Sequence, residues 1–309
     1  MDDAALARWL DPEMRAFIAD TERYYPATAN SGDREEARAL YDRLCAGFRA
    51  PRPAGVTSTD ASANEVPVRR YRPPAVPRPA AVLYLHGGGF MLGGLDSHDD
   101  VCAEICAAAG AEVMAVAYRL APEHRYPAAL DDVAAAYRVL AAERPVVVAG
   151  DSAGGNLAAA LCMRLRRLGE RQPRGQVLIY PGLAPDPLRV AGRRIATAPM
   201  LSAEDCANYA RLYAGRNVPA DDPEFAPLAA AEFAGLAPAA IFAAGYDPLR
   251  DDAEDYAAAL HAAGVPVTYR ADPGLVHGWL RGRHRARLAG AAFAAVVASV
   301  AALAGDPAQ

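Results

Sequence analysis

The chain has 309 residues, 53% of them hydrophobic and 22% charged, which is enough to bury a sizeable core and fits a globular protein. Its formal net charge of −5, with no basic block, leaves no electrostatic footprint for nucleic acid. The acidic start, Met1-Asp2-Asp3, lacks the order of a signal peptide, and five cysteines without a Cys-x-x-Cys read as buried thiols of a cytoplasmic protein.

The elements follow in chain order. Leu6, Trp9, Leu10, Met14, Phe17 and Ile18 recur at helical spacing, and a second helix is predicted over 33–48. A Pro/Gly/Ser-rich passage, 51–63, precedes a strand at 65–71 and a proline-rich turn at 73–79. From residue 80 short apolar runs at 82–85, 112–117, 146–149, 176–180, 240–243 and 266–271 alternate with helical patterns at 98–109, 127–142, 156–168 and 251–263. That alternation predicts an α/β fold with a mostly parallel sheet covered on both faces. One stretch, 185–236, breaks the pattern and is read as an insertion. It holds a helix over 202–213 that Ser202 caps. The organisation expected is cap helices in 1–50, core in 51–184, a cap insertion in 185–236 and core again in 237–309. The alanine-rich tail, 286–304, is read as a buried helix, because Arg287 interrupts it and its residues are small; no membrane partner is expected.

Gly150-Asp151-Ser152-Ala153-Gly154-Gly155 follows one apolar run and opens a helical segment. That is G-x-S-x-G in a strand–turn–helix context, where a serine hydroxyl stands exposed. A serine hydroxyl needs a histidine base, and the base needs an acid. Asp247 stands just beyond the run at 240–243; its rivals Asp251 and Asp252 read as helix-start residues. Of six histidines, His277 lies in a glycine-flanked loop after the last strand, in the order Ser, Asp, His. His261 sits in a helix, His284 in an arginine-rich stretch, and His98 and His124 precede the serine.

Three glycines in His86-Gly87-Gly88-Gly89-Phe90 follow the run at 82–85 and offer unobstructed amides; Ala153 offers another. No Gly-Lys-Ser/Thr follows, so this is not a phosphate loop. Phe90, Met91, Leu201, Tyr209 and Tyr213 are pocket candidates that read equally well as core. The 119–123 segment reads as scaffold.

These segments, with Tyr118-Arg119-Leu120-Ala121-Pro122-Glu123, Asp247-Pro248-Leu249-Arg250-Asp251 and His277-Gly278-Trp279, resemble the bacterial hormone-sensitive-lipase family of α/β-hydrolase esterases over roughly residues 30–305. The resemblance implies hydrolysis of a small-molecule carboxylic ester with no cofactor and no metal, on soluble substrates of short to medium acyl chain. It implies triad roles for Ser152, Asp247 and His277, and oxyanion amides at Gly88, Gly89 and Ala153. His86 and Gly87 then shape the loop. Trp279 stands where the family often has phenylalanine. Homodimers are common in that family. The same groups also suit an amide or thioester, and some relatives are non-catalytic small-molecule receptors that have lost a triad member.

Overall fold

The computed structural model describes residues 9–26, 29, 33–75, 77–184 and 194–305. Leu6 and the first part of the 185–236 stretch lie outside them. Eight strands form one sheet in the order β1-β2-β4-β3-β5-β6-β9-β10. They are β1 (Thr57–Ala63), β2 (Val66–Arg72), β3 (Ala81–Leu85), β4 (Val113–Val116), β5 (Val146–Asp151), β6 (Gly175–Ile179), β9 (Ala239–Tyr246) and β10 (Val267–Val276). From β4 to β10 every neighbouring pair is parallel, and β2 runs antiparallel to both β1 and β4.

The central strands are apolar throughout because both faces are covered. Leu83, Val148, Leu178 and Ile241 face one core with residues of α4 (Ala128–Glu143), α5 (Ala153–Arg167) and α7 (Arg250–Ala262). Tyr84, Val147, Val177 and Phe242 face the other, with α3 (Asp99–Ala109) and α8 (Arg287–Ala304). Helix α8 is long and apolar enough to cross a membrane by length and composition. One face of it, Ala289, Ala292, Phe293, Val296 and Val300, is buried in that second core.

Two N-terminal helices, α1 (Pro12–Tyr24) and α2 (Arg34–Phe48), start at Asp11 and Asp33, whose carboxylates accept from first-turn amides. A two-strand hairpin, β7 (Thr197–Ala198) and β8 (Leu201–Ser202), leads into α6 (Ala203–Ala214). Ser202 caps that helix, as the sequence predicts, and Asp205 answers it in a reciprocal capping box.

Three elements differ from expectation. The 57–63 stretch is a strand, with Glu65 in the turn beside Asn64; both have positive φ, 70° and 50°. The sequence Thr-Ser-Thr-Asp-Ala-Ser-Ala carries no apolar alternation because this edge strand is mostly exposed. Cross-strand pairing holds it, including Asp60 against Arg69 at 2.6 Å. Helix α5 begins at Ala153, three residues earlier than the apolar pattern suggests. Strand β10 runs on to Val276 across a register shift between Asp272 and Val276.

Candidate active site

Strand β5 ends at Asp151 and α5 starts at Ala153, so Ser152 alone makes the turn, at φ 54° and ψ −116°. A non-glycine residue in that region costs about 1–3 kcal/mol and persists only where its surroundings impose it. They do: the Ser152 amide donates to the Ile179 carbonyl at 2.9 Å. A Cβ at Gly154 would overlap the Leu85 carbonyl, so only glycine lets helix and sheet close around this turn.

Neighbouring strands deliver the other two groups. In the β9–β10 register Tyr246 is opposite Val276, so the next residues, Asp247 and His277, leave the carboxyl edge side by side. His277 Nδ1 lies 2.8 Å from Asp247 Oδ2, and His277 Nε2 lies 2.9 Å from Ser152 Oγ. A carboxylate only accepts, so Nδ1 carries the proton and the Nε2 lone pair faces the hydroxyl. Asp247 is buried, and its Oδ1 accepts from the Leu249 amide at 2.8 Å. The Tyr180 ring meets the imidazole edge-on at 4.7 Å between centroids, and Trp279 meets Tyr180 in turn at 5.6 Å. Trp279 therefore acts on packing behind the histidine.

The glycine run is held on both sides. Gly87 donates its amide to Asp151 Oδ1 at 3.0 Å. His86 Nδ1 lies 2.8 Å from the Gly87 carbonyl, which makes that nitrogen the donor. The His86 ring stacks on Tyr118 at 4.2 Å, and the Tyr118 hydroxyl donates to the His86 carbonyl at 2.7 Å. Burial, with His98 close by, pushes His86 down to about 4, so it stands neutral as a brace. Gly88 takes φ 121°, a region that suits glycine. Among the described residues, none accepts from the amides of Gly88, Gly89 or Ala153, and all three border a cavity of about 870 Å³.

Ser152 and His277 border the same cavity. Its walls include Ile18 and Tyr25 from the N-terminal region, Tyr41 and Leu44 from α2, and Met200 beside β8. Of the pocket candidates, Phe90, Leu201 and Tyr209 face it. Met91 and Tyr213 do not. Both are buried in the core, and Tyr213 lies flat between Phe90 at 3.9 Å and Phe225 at 5.5 Å. Four cysteines are buried as expected; Cys206 is partly exposed and borders the cavity.

Asp251 and Asp252 stand in the first turn of α7, as expected of helix-start residues, but neither side chain caps the helix. Asp252 accepts from the Leu183 and Ala184 amides, both at 3.0 Å, and Asp251 binds Arg194 at 2.6 Å. The 119–123 segment is scaffold: Arg119 forks onto Asp132, while Arg38 of α2 reaches Glu123 at 2.8 Å and the Met91 carbonyl at 3.0 Å. Sequence reasoning missed two supporting residues. Asp151, inside the serine motif, is a buried carboxylate held well below its usual range, with His98, Arg281 and the Tyr84 hydroxyl stabilising its charge against burial. Tyr180 follows β6 directly, and that place at a strand's carboxyl end was its only signal.

Comparison with known proteins decides the family. The α/β-hydrolase fold family model matches residues 82–281. Esterase LipI of Mycobacterium tuberculosis is 43% identical over 236 residues, 72% of this chain and 73% of LipI. The ethyl acetate hydrolase of Pseudomonas putida is 37% identical over 298 residues, 88% of this chain and 92% of its own. The crystal structure of an esterase from the bacterial hormone-sensitive lipase family superposes with a TM-score of 0.84 at 28% identity, covering 96% of this chain and 99% of that one. The chain belongs to the hormone-sensitive-lipase-like (family IV) carboxylesterases. This carboxylesterase-like hydrolase has the mostly parallel, helix-flanked sheet of the α/β-hydrolase fold.

Proposed function

We propose that the protein hydrolyses carboxylic esters of short to medium acyl chain, with Ser152 as nucleophile, His277 as base and Asp247 as its orienting acid. The hydrogen-bonded chain Asp247–His277–Ser152, at 2.8 and 2.9 Å on the cavity wall, carries this reading. His277 Nε2 takes the Ser152 proton as Oγ attacks the ester carbonyl carbon. The oxyanion receives hydrogen bonds from the amides of Gly88, Gly89 and Ala153. Removing one such donor typically costs about 3 kcal/mol of transition-state stabilisation. The imidazolium then protonates the leaving alcohol, and a water molecule, deprotonated by His277, attacks the acyl-enzyme to release the acid and restore the serine.

The N-terminal helices and the 194–214 segment supply much of the cavity wall, which supports their reading as a cap over the sheet's carboxyl edge. A cavity of about 870 Å³ has room for such esters, and the ethyl acetate hydrolase among the relatives favours the short end. A series of p-nitrophenyl esters from C2 to C16 tests this: kcat/KM is expected to peak between C2 and C8. A peak at C12 or above overturns the chain-length assignment, and no hydrolysis at any length overturns the reaction.

A further inference from the structure

Arg281 sits in the short helical turn Trp279–His284, four residues after His277, and borders the same cavity as Ser152. Its Nη1 donates to the Ser97 carbonyl at 3.1 Å and its Nη2 to the Tyr41 hydroxyl at 2.7 Å. The guanidinium carbon lies 4.9 Å from the Tyr41 ring centroid. These partners are neutral. Among the described residues no carboxylate forms an ion pair with Arg281, whereas Arg283, two positions on, is paired with both Asp100 and Glu104.

The carboxylates around this cavity are engaged or peripheral. Asp151 takes the Gly87 amide and the Tyr84 hydroxyl, faces His98, and stabilises the Arg281 charge from beyond hydrogen-bond reach; Asp205 takes the Ser202 amide and hydroxyl. Glu22 is exposed on α1, and Arg15 also borders the cavity. A guanidinium presents five N–H donors, and its two bonds here leave donors to spare. Tyr41 accepts from Arg281, and among the described residues nothing accepts its own hydroxyl proton. The Asp151 charge acts on Arg281 without bonding to it, so a ligand carboxylate in the cavity would be the anion that bonds to the guanidinium directly.

We propose that Arg281 and Tyr41 form an anion subsite in the cavity, and that the enzyme takes esters bearing a carboxylate on one arm. The inference rests on the ester-hydrolase reading for its substrate, though the subsite itself can be read by binding alone. A carboxylate suits the fork of one guanidinium with a phenol hydroxyl beside it.

The test compares matched esters in the parent, Arg281→Met and Arg281→Lys. Monoethyl adipate against ethyl hexanoate places the charge on the acyl arm, and 4-acetoxybutanoate against butyl acetate places it on the alcohol arm. For at least one pair the anionic-to-neutral ratio of kcat/KM is expected to fall about tenfold or more in Arg281→Met, through KM, and to recover in part in Arg281→Lys. Ratios equal in parent and Arg281→Met for both pairs overturn the proposal. Calorimetric titration of the parent with adipate and with hexane-1,6-diol reads the subsite without turnover and without a variant. Adipate binding with no diol binding supports it, and equal or absent binding overturns it. If no ester is hydrolysed while adipate still binds, the hydrolase reading fails and the anion subsite stands.

Discussion

Asp151 accepts the Gly87 amide at 3.0 Å, so the turn that bears Ser152 and the loop that bears the glycines are fastened to each other by one buried carboxylate. The two parts arrive from different strands, β5 and β3, which pair in parallel with Leu85 opposite Gly150. Sheet register sets their distance and Asp151 sets their angle. Donors fixed before substrate arrives need no reorganisation during the reaction, which is where such a site gains most. The proposed chemistry makes the following outcomes measurable.

Asp247 and Asp252 lie five residues apart, both buried, and kinetics separates their roles. Asp247→Asn keeps the shape but favours the wrong imidazole tautomer, so kcat is expected to fall about 10³–10⁴-fold. Asp252→Ala leaves the Leu183 and Ala184 amides without that acceptor. It is expected to lower stability by about 2–4 kcal/mol by denaturant unfolding, with kcat changed less than about tenfold. The reverse pattern makes Asp252 the acid.

A histidine base works only when neutral. The kcat/KM for p-nitrophenyl butyrate is therefore expected to fall about tenfold per pH unit on its acid limb, as one proton binds. A rate flat down to pH 4 contradicts a histidine base.

His86 gives a separate, structural pH effect. It titrates at about 4 when folded, against 6.5 when free. Below pH 6.5 the unfolded chain binds a proton that the folded protein refuses, so stability drops as pH falls and levels off near pH 4. That gap corresponds to about 3 kcal/mol. The depressed Asp151 contributes only at pH lower still, where its unfolded form protonates. Unfolding free energies of the parent and His86→Asn, measured from pH 7.5 to 4.5, should converge by most of that amount. A constant difference contradicts the assignment.

Much of this was legible because local and global signals agreed. The parallel strands are buried on both faces, so they read as apolar runs, and the serine turn needs small residues that the sequence displays. The order Ser152, Asp247, His277 followed from strands that end at one edge. Strand β1 was illegible because an exposed edge strand needs no apolar alternation, and its stability comes from β2. Met91 and Tyr213 stayed open between core and pocket because an aromatic or apolar side chain looks the same in a core as in a cavity wall. Only tertiary packing, with Tyr213 stacked on Phe90, decides. Asp252 was legible only in part: it stands in the first turn of α7 as its position suggests, yet its carboxylate reaches amides 68 and 69 residues away.

The most direct measurement is covalent capture of the nucleophile. A fluorophosphonate ester should inactivate the parent stoichiometrically, with the phosphonyl group mapped by mass spectrometry to the peptide containing Ser152. Labelling should be slowed by about 10³-fold or more in a folded His277→Ala variant. An adduct on another residue, or a parent that stays unlabelled, contradicts the central claim that His277 activates the Ser152 hydroxyl.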